Sequence, residues 1–248
     1  MLDFSSFQTI NKVIYLTEED CDFSEFYLKV RQKEQRILSD KDILKLPNLN
    51  RYEWPLRIKS TKRFTDYISA KKNNLQILDI GCGNGWFTNK MASVSKHNTV
   101  IGLDVNRVEL EQASRLFNHE NIHFIYADIF DTKNSLTEQF DVITLNGSIQ
   151  YFKDFETTVE LLKTFLKPKG ELHIIDSPFY KVTEIENAKA RTKVYYESVG
   201  IPEMIKNYHH HSTEQLHKFD ILYSFKRNLT NKLLGKKDSP FSWFRIIK

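Results

Sequence analysis

The segment QILDIGCGNGWFTNKM, residues 76–91, constrains the fold of this chain more than any other stretch. A short apolar run ends at Asp79, and a glycine-rich turn then leads into a helix-compatible sequence. Glycine-rich turns between a strand and a helix commonly hold a nucleotide-like ligand, because the backbone can approach the ligand closely. The segment therefore predicts a ligand site at the first strand–helix junction of an α/β fold.

The spacing of the glycines narrows the class of ligand. Dinucleotide-binding folds place glycines at relative positions 1, 3 and 6, and the last of them lets the helix pack closely on the strand. Here Gly81, Gly83 and Gly85 take positions 1, 3 and 5, and Trp86 takes the sixth. An indole cannot replace that glycine, so the spacing disfavours NAD as the ligand.

Three aspartates stand near the ends of three successive predicted strands. Asp79 suits an ammonium group, and Asp104 stands where an acid binds the hydroxyls of an unphosphorylated ribose. Asp128 ends the third strand and suits an exocyclic amine. One such aspartate alone is often only a helix N-cap. Three of them beside one glycine turn predict a ligand with an amine, a ribose and an adenine, but no phosphate.

The remainder of the chain supports a layered α/β architecture. From residue 76 onward, β-rich runs alternate with helical patterns, and this alternation predicts a doubly wound, mostly parallel sheet. The near-continuous apolar strands fit a sheet that is covered on both faces. The predicted strands span 76–80, 99–105, 122–129, 140–149 and 170–179, and two of the predicted helices span 106–117 and 155–166.

The flanking regions differ from this core in pattern. Residues 1–73 are rich in Lys, Glu and Gln at helical spacing, which predicts a helical N-terminal cap on a domain that spans 74–248. Residues 181–218 form a predicted helical insertion, and two further strands are predicted at 219–225 and 241–247. The basic stretch 226–237 is interpreted as a solvated connection rather than a binding arm.

Composition and charge indicate the cellular compartment and the classes of partner that this chain has. The only cysteines are Cys21 and Cys82, which provide no disulfide framework and fit a reducing compartment. The first residues do not have the pattern of a signal peptide, and no run of 18 apolar residues occurs. The formal charge of +4 is weak evidence for nucleic acid. We therefore predict a cytoplasmic protein, without membrane or nucleic-acid partners, that is a monomer or a homodimer.

Taken together, these pieces resemble the class I S-adenosylmethionine-dependent methyltransferases. The resemblance covers roughly residues 75–180, and it rests on LDIGCGNGWFT, VIGLDVN, ADIF, FDVITLNGSIQYF and LLKTFLKPKGELHIIDSPF in that order. The family has a seven-stranded sheet whose last strand is antiparallel. The resemblance implies that FDILYSF is the sixth strand and FSWFRII the antiparallel seventh.

The resemblance also implies S-adenosylmethionine as the cofactor. Gly81 and Gly83 would then lie along its methionine part, which Asn146 would face, while Arg51 or Arg57 could reach the carboxylate and Trp54 could cover the site. The predicted cofactor-binding residues are Asp79, Gly81, Cys82, Gly83, Asp104 at the ribose, Val105, Asp128 and Ile129 beside the adenine, and Asn146.

The predictions for the methyl acceptor rest on weaker signals. Methyl transfer from a sulfonium mainly needs alignment, but an oxygen acceptor of high pKa would need a base. His210 and His211 are therefore the candidate catalytic residues, as a base or as acceptor-binding groups in the 181–218 insertion. In a helix, His210 would share a face with Glu214 and His217 in metal-ligand geometry, yet a solvated polar helix start explains them too. We predict no metal.

The segment NGSIQYF after the fourth strand lacks proline. Enzymes that methylate exocyclic base amines or protein amides typically carry an Asp/Asn-Pro-Pro-aromatic motif there. We therefore predict a small-molecule acceptor, methylated at oxygen, with Tyr180, Tyr195 and Tyr196 as possible lining residues of its pocket. A tRNA- or rRNA-modifying methyltransferase and a non-catalytic S-adenosylmethionine-binding partner protein remain alternatives.

Overall fold

A computed structural model describes residues 4–20, 22–50, 53–71, 74–132, 135–224 and 238–248 of the chain. Cys21, Arg51 and the predicted connection 226–237 lie outside these ranges. None of the helices within them combines the length and the apolar character needed to span a bilayer.

The described residues form one mixed sheet of nine strands. Its strands are β1 (Gln8–Ile10), β2 (Val13–Tyr15), β3 (Gln76–Ile80), β4 (Thr99–Asp104), β5 (Ile122–Tyr126), β6 (Phe140–Asn146), β7 (Leu166–Ile175), β8 (Asp220–Tyr223) and β9 (Trp243–Ile247). They lie in the order β1-β2-β5-β4-β3-β6-β7-β9-β8. All neighbours from β2 to β7 pair in parallel, so the predicted doubly wound, mostly parallel sheet is confirmed.

The antiparallel part of the sheet lies at its two edges. β9 pairs antiparallel with both β7 and β8, as the resemblance implied for the last strand. The predicted count of seven strands is wrong, because β1 and β2 extend the opposite edge. β2 pairs in parallel with β5, and Val13 is completely buried by that contact. Each of these two strands has only three residues, which is too short for an alternating pattern to stand out in the sequence.

Helices cover both faces of this sheet. They are α1 (Asp22–Lys33), α2 (Asp40–Ile43), α3 (Trp54–Ser69), α4 (Trp86–Ala92), α5 (Arg107–Leu116), α6 (Phe155–Phe165) and α7 (Val182–Ser198). Short 3₁₀ turns lie at Ile129–Asp131, Ile149–Tyr151, Pro202–Asn207 and Thr213–Leu216. One large apolar core lies on each face, with Leu110 and Ala113 of α5 in the first and Val159 and Leu162 of α6 in the second.

Local sequence explains where the core helices begin and end. The side chains of Asn106 and Asp154 accept backbone N–H bonds at the start of α5 and α6, so both are N-caps. α6 ends at Phe165, and the segment KPKG that follows belongs to β7, which therefore begins at Leu166 rather than at the predicted residue 170.

The N-terminal region contributes three helices besides β1 and β2. α1 packs against the 3₁₀ turn Pro202–Asn207 and the end of α7, where Val30, Tyr196, Ile201 and Met204 form a third apolar cluster. We call this set of elements, α1 with α7 and residues 202–207, the lid. The division of the chain at residue 73 stays a prediction, because β2 joins the N-terminal region to the central sheet.

Candidate functional site

A cavity of about 720 Å³ lies between the lid and the carboxyl ends of the central strands. Its floor contains the turn after β3 and the turn after β6, two parallel neighbours at the centre of the sheet. The chain leaves β3 toward β4 on one side and later returns to β6 on the other. Such a switch point leaves an open crevice at the strand ends, which is where open α/β sheets bind their ligands.

The glycine turn has the backbone geometry that its sequence predicts. Gly81, Gly83 and Gly85 adopt φ values of +69°, +53° and +73°, a region that favours glycine. A Cβ at Gly81 would lie 2.6 Å from the Cβ of Ser148, and one at Gly85 would lie 2.7 Å from the ring of Phe124. Gly81 and Gly83 line the cavity, whereas Gly85 lets the turn pack against the sheet. The backbone of the turn is therefore open to a ligand on one side only.

Asp79 lies under this turn and is almost entirely buried. Its two carboxylate oxygens accept hydrogen bonds from the hydroxyls of Thr88 and Thr144, at 2.7 and 2.8 Å. Burial raises the pKa of Asp79 to about 7, although the two hydroxyl bonds act in the opposite direction. A positively charged ligand group nearby would favour the ionised carboxylate, so this residue is suited to an ammonium group.

A second half-buried acid, Glu109, accompanies Asp104. Asp104 Oδ2 accepts from the backbone N–H of Gly83 at 2.7 Å and Oδ1 accepts from that of Asn106 at 2.9 Å, so this carboxylate holds the glycine turn in place. Glu109, on the first turn of α5, faces Gly83 and lines the cavity. Burial, and then the charge of Asp104, raise the pKa of Glu109 to about 7.

Three buried polar atoms on the cavity wall have no hydrogen-bond partner among the described residues. They are Oδ1 of Asn146, Oε1 of Gln150 and Nε of Arg31. Buried polar atoms are rarely left unpaired in a protein interior, because the loss of their hydration is costly. The residues that carry these two acceptors and one donor all line the same cavity, which fits a polar ligand.

Arg57 provides a cation on the same wall. Its guanidinium approaches the turn after β6, where a Cβ on Gly147 would lie 3.2 Å from Nη2, and its Nε lies 3.8 Å from Glu53. It also lies over the ring of Trp54, which contacts Trp86 edge-on with 5.2 Å between the ring centroids. The two indoles form one side of the cavity beside the glycine turn.

Five of the nine predicted cofactor residues line this cavity: Asp79, Gly81, Cys82, Gly83 and Asn146. The other four, Asp104, Val105, Asp128 and Ile129, are not on its wall. Asp104 stands behind Gly83, as described above. Asp128 is exposed and caps its own 3₁₀ turn by accepting from Phe130 N–H, and Ile129 belongs to the core.

The N-terminal segment explains the position of Asp128. Thr17 Oγ1 accepts from the backbone N–H of Asp128 at 3.1 Å, and the ring of Tyr15 stacks on that of Tyr126. The backbone N–H of Asp20 donates to the hydroxyl of Tyr126 at 3.0 Å. Residues 13–20 therefore cover the carboxyl end of β5, where the adenine was predicted. The roles of Asp128 and Ile129 stay predictions.

The histidine cluster lies behind the wall of the large cavity and does not line it. His211 is buried, its Nε2 donates to the carbonyl of Ile149 at 3.1 Å, and burial lowers its pKa. His210 Nε2 lies 2.8 Å from Thr192 Oγ1. Both histidines line a second, neighbouring cavity, so their catalytic roles stay predictions. Only Thr213–Leu216 forms a helical turn there, and no group of three potential metal ligands occurs in the described ranges.

Tyrosines dominate the wall opposite the glycine turn. The predicted Tyr180, Tyr195 and Tyr196 all line the cavity, and so do Tyr27, Tyr151 and Tyr208. Burial is the largest cause that raises the pKa of each of the six, so their hydroxyls are neutral and can donate or accept. Sequence reasoning missed Glu109, Arg31, Gln150 and three of these tyrosines. The helical spacing of Tyr27 and Arg31 on α1, four residues apart, was the one available signal.

Comparison with known proteins agrees with this geometry. A family model described as a methyltransferase domain matches residues 71–228, which is more than half of the chain. The chain belongs to this family. The predicted membership of the S-adenosylmethionine-dependent methyltransferases is thereby confirmed. Among curated relatives, the malonyl-[acyl-carrier protein] O-methyltransferase of Halalkalibacterium halodurans is 34% identical over 106 residues, which cover 42% of this chain and 39% of that protein.

Two further similarities are informative. The ubiquinone biosynthesis O-methyltransferase of Haemophilus ducreyi is 28% identical over 127 residues, 48% of this chain and 53% of the relative. The chain thus spans between about a third and a half of the curated relatives it matches. The plantazolicin methyltransferase BpumL, solved with a substrate analogue and SAH, covers 91% of this chain and 97% of its own, with a TM-score of 0.54 and 18% identity. That likeness shows the fold.

Proposed function

We propose that this methyltransferase-family protein transfers the methyl group of S-adenosylmethionine to oxygen on a small-molecule acceptor. The observation that carries the proposal is the composition of the large cavity. One side offers the open backbone of a glycine turn with unpartnered acceptor atoms, and the other offers six neutral tyrosines. A charged cofactor and an acceptor that the tyrosine rings and hydroxyls contact would meet between the two.

The residues present fit the cofactor. The unpartnered Oδ1 of Asn146 and the carboxylate of Asp79 are acceptors suited to the methionine ammonium group. Arg57 is suited to the methionine carboxylate, and the turn at Gly81 and Gly83 allows close backbone approach. When bound, S-adenosylmethionine supplies an already activated methyl group on a sulfonium.

The contribution of the protein is then alignment and exclusion of water. α1 lies over the cavity with Tyr27 and Arg31, and its contact with residues 202–207 closes that side through apolar packing. Tyr151 packs edge-on against both Tyr27 and Tyr208, so the tyrosine wall is held by ring contacts at 5.7 and 5.9 Å. Their hydroxyls can orient an acceptor by hydrogen bonds.

The oxygen and the small-molecule class rest on the relatives. Both relatives named above are O-methyltransferases, one for malonyl-[acyl-carrier protein] and one in ubiquinone biosynthesis. The absence of proline from NGSIQYF, at the end of β6, also speaks against base amines and protein amides as acceptors.

The test is a calorimetric titration of the full chain with S-adenosylhomocysteine, with NAD as the competing ligand. We expect one-site binding of S-adenosylhomocysteine and none of NAD. In Asp104→Asn, a single side-chain oxygen remains for two backbone donors, so the glycine turn loosens. We expect affinity to fall at least about tenfold, roughly 1.4 kcal/mol. Absence of binding by the wild type, or preference for NAD, would refute the cofactor assignment.

Asp131→Asn is the matched control, because Asp131 is an exposed aspartate on the turn that follows β5 and does not line the cavity. We expect the affinity of Asp131→Asn for S-adenosylhomocysteine to stay within twofold of the wild type.

Asp128→Asn tests the predicted adenine contact separately, since asparagine preserves the cap. A tenfold loss there would locate the adenine at Asp128. Incubation with methyl-labelled S-adenosylmethionine and fractionated metabolites then identifies the acceptor.

A further inference from the structure

A second cavity, of about 610 Å³, adjoins the large one. The two share Thr192 and Tyr208 on their walls, so these two side chains lie between the large cavity and the second one. It lies between the middle of α7, the 3₁₀ turn Pro202–Asn207 and the histidine run, with Lys153 on its remaining side. A ligand that occupied both spaces would pass beside Thr192 and Tyr208.

The lining of the second cavity is strongly basic. Four lysines face it, Lys153, Lys189, Lys193 and Lys206, together with His209, His210 and His211. The single acid on its wall is Glu186. The large cavity is different, since its wall carries Glu34, Glu53, Asp79, Glu109 and Asp176 beside its arginines. Positive charge is therefore concentrated in the second cavity.

Neighbouring acids neutralise only part of this charge. Lys189 pairs with Glu186 at 2.9 Å, and Lys193 lies 3.8 Å from Glu197, both on exposed helix surface. Lys153 and Lys206 are also exposed, and no ion pair within 4 Å involves either of them in the described part of the chain. Lys206 lies over the ring of Phe26 at 5.8 Å, a contact that leaves its donors available.

Two acids, Asp154 and Glu156, lie near His211, and their charges oppose the effect of burial on its pKa. Asp154 caps α6 by accepting from Thr157 N–H, and both carboxylate oxygens of Glu156 accept from the side-chain amide of Gln215 at 3.0 Å. The pKa of His209 reflects the positive charge around it. After burial, the charges of His211 and Lys153 are the next causes that lower the pKa of His209.

We propose that the methyl acceptor carries a phosphoryl group, and that this group binds in the second cavity to Lys153 and Lys206 with His209. This inference rests on the proposed function, because it identifies the class of the acceptor. A phosphoryl group offers three strong acceptor oxygens and up to two negative charges, which matches several ammonium and imidazole donors around one space. A single carboxylate would satisfy fewer of them.

The arrangement divides the acceptor into two parts. The phosphoryl group lies beyond Thr192 and Tyr208, and the reacting end lies in the large cavity near Asn146. The phosphoryl group takes no part in the transfer and fixes the position of the reacting end. Binding energy from a part of the substrate remote from the reacting atom then contributes to alignment.

The experiment titrates the full chain, saturated with S-adenosylhomocysteine, with inorganic pyrophosphate as the probe. Saturation keeps pyrophosphate away from the residues predicted to bind the cofactor. We expect one-site binding by the wild type and at least tenfold weaker binding by the Lys153→Gln/Lys206→Gln double variant. The affinity of the double variant for S-adenosylhomocysteine should be unchanged.

The control is Lys41→Gln/Lys62→Gln, which removes two exposed lysines that line neither cavity. It should bind pyrophosphate within twofold of the wild type, and circular dichroism should show both double variants folded. No binding by the wild type, or an equal loss in both double variants, overturns the phosphoryl proposal while S-adenosylhomocysteine binding still supports the proposed function. If S-adenosylhomocysteine itself does not bind, it is the proposed function that fails.

Two further probes separate the possible sources of the phosphate. A single-stranded RNA decamer and phosphatidylglycerol vesicles are offered to the same proteins, with and without pyrophosphate. If the acceptor is a small phosphorylated molecule, we expect pyrophosphate to displace any RNA or vesicle that binds through Lys153 and Lys206. Binding to RNA or to vesicles that depends on these lysines and resists pyrophosphate would overturn the proposal in favour of a macromolecular or membrane partner.

Discussion

The two walls of the large cavity are built in opposite ways. The wall at the strand ends consists of backbone turns fixed by the sheet, with Asp104 tying Gly83 in place and buried acids beneath. The opposite wall belongs to the lid. It consists of side chains, mainly tyrosines, from α1, α7 and residues 202–208. The local backbone conformation determines the shape of the first wall. The packing of elements that are distant in sequence determines the shape of the second.

This difference suggests a division of labour. A backbone-built wall recognises a ligand that does not vary, since nearly any sequence change there strains the turn. A wall of side chains on a small apolar cluster can vary without disturbing the sheet. Within our proposal, the first wall serves the cofactor and the second serves the acceptor. Four predictions test this division.

The largest expected effect is at Gly81. Alanine would combine a φ of +69° with a Cβ placed 2.6 Å from that of Ser148. We expect strain and overpacking together to cost about 4 kcal/mol in the free energy of unfolding, measured with urea. Gly200→Ala is the control, because its φ is +75° but no atom lies within 4 Å of the added Cβ. It should cost only about 1 kcal/mol. Equal costs would mean that the strand-end wall is not rigid.

Two buried methionines test whether the lid is independent of the sheet. Met204 is 1% exposed in the lid cluster, and Met91 is 0% exposed in the sheet core. Truncation to alanine should cost about 3 kcal/mol at either site. We expect Met204→Ala to accelerate hydrogen exchange of α1 amides alone, and Met91→Ala to accelerate exchange throughout β3 to β6. Sheet amides that respond equally to both substitutions would show that lid and sheet form one cooperative unit.

The acidic side of the strand-end wall should make stability depend on pH. Burial raises the pKa of Glu109 from its ordinary 4.5 to about 7, so between these values the folded chain binds more protons than the unfolded chain. Stability is therefore lost as the pH rises through this window. Between pH 4.5 and 8 we expect the wild type to lose about 2 kcal/mol relative to Glu109→Gln in urea unfolding, a value reduced for the exposure of Glu109 to the cavity.

Glu120→Gln, an exposed glutamate beyond α5, serves as the control for this pH series and should parallel the wild type. If Glu109→Gln also parallels the wild type, the carboxylate is solvated by the cavity. The strand-end wall would then be more accessible to water than its geometry indicates.

The smallest expected effect is at His211. Asparagine is too short to reach the carbonyl of Ile149, so we expect His211→Asn to cost about 1 kcal/mol at pH 7.5. Because burial lowers the pKa of His211, the unfolded chain takes up the proton first, and the stability that neutral His211 contributes declines below about pH 6.5. The difference between wild type and variant should therefore narrow toward pH 5. A difference that grows with acidity would contradict this structural role and favour His211 as a titrating functional group.

Sequence reasoning predicted the central part of the fold well. The strands at 76–80, 99–105, 122–129 and 140–149 and the helices at 106–117 and 155–166 match β3 to β6, α5 and α6 to within a few residues. Long apolar runs and caps such as Asn106 are local signals, so they can be read without knowledge of the tertiary structure. β1 and β2 were missed, because their three-residue runs become strands only through pairing with β5.

The residues of the candidate site also fall into two groups, those that local sequence signals predict and those that they do not. Gly81, Gly83, Asp79 and Asn146 could be predicted, since they directly follow or end strands whose carboxyl ends meet at one edge. Glu109, Arg31 and Gln150 could not, because their positions on the wall depend on how α5, α1 and the turn after β6 face one another. The contact of Asp128 with the N-terminal segment was also beyond local signals, because its partner Thr17 lies 111 positions earlier in the chain.

The sequence by itself determined the strand–turn–helix unit, the class of fold and the family, because glycine conformation and apolar periodicity act over a few residues. The tertiary structure decided the shape of the acceptor side. Tyr27 and Tyr208 are 181 positions apart, and both line one cavity. Lys153 and Lys206 share a second cavity for the same reason. Contacts of this kind arise from the packing of whole elements, and no short stretch of sequence encodes them.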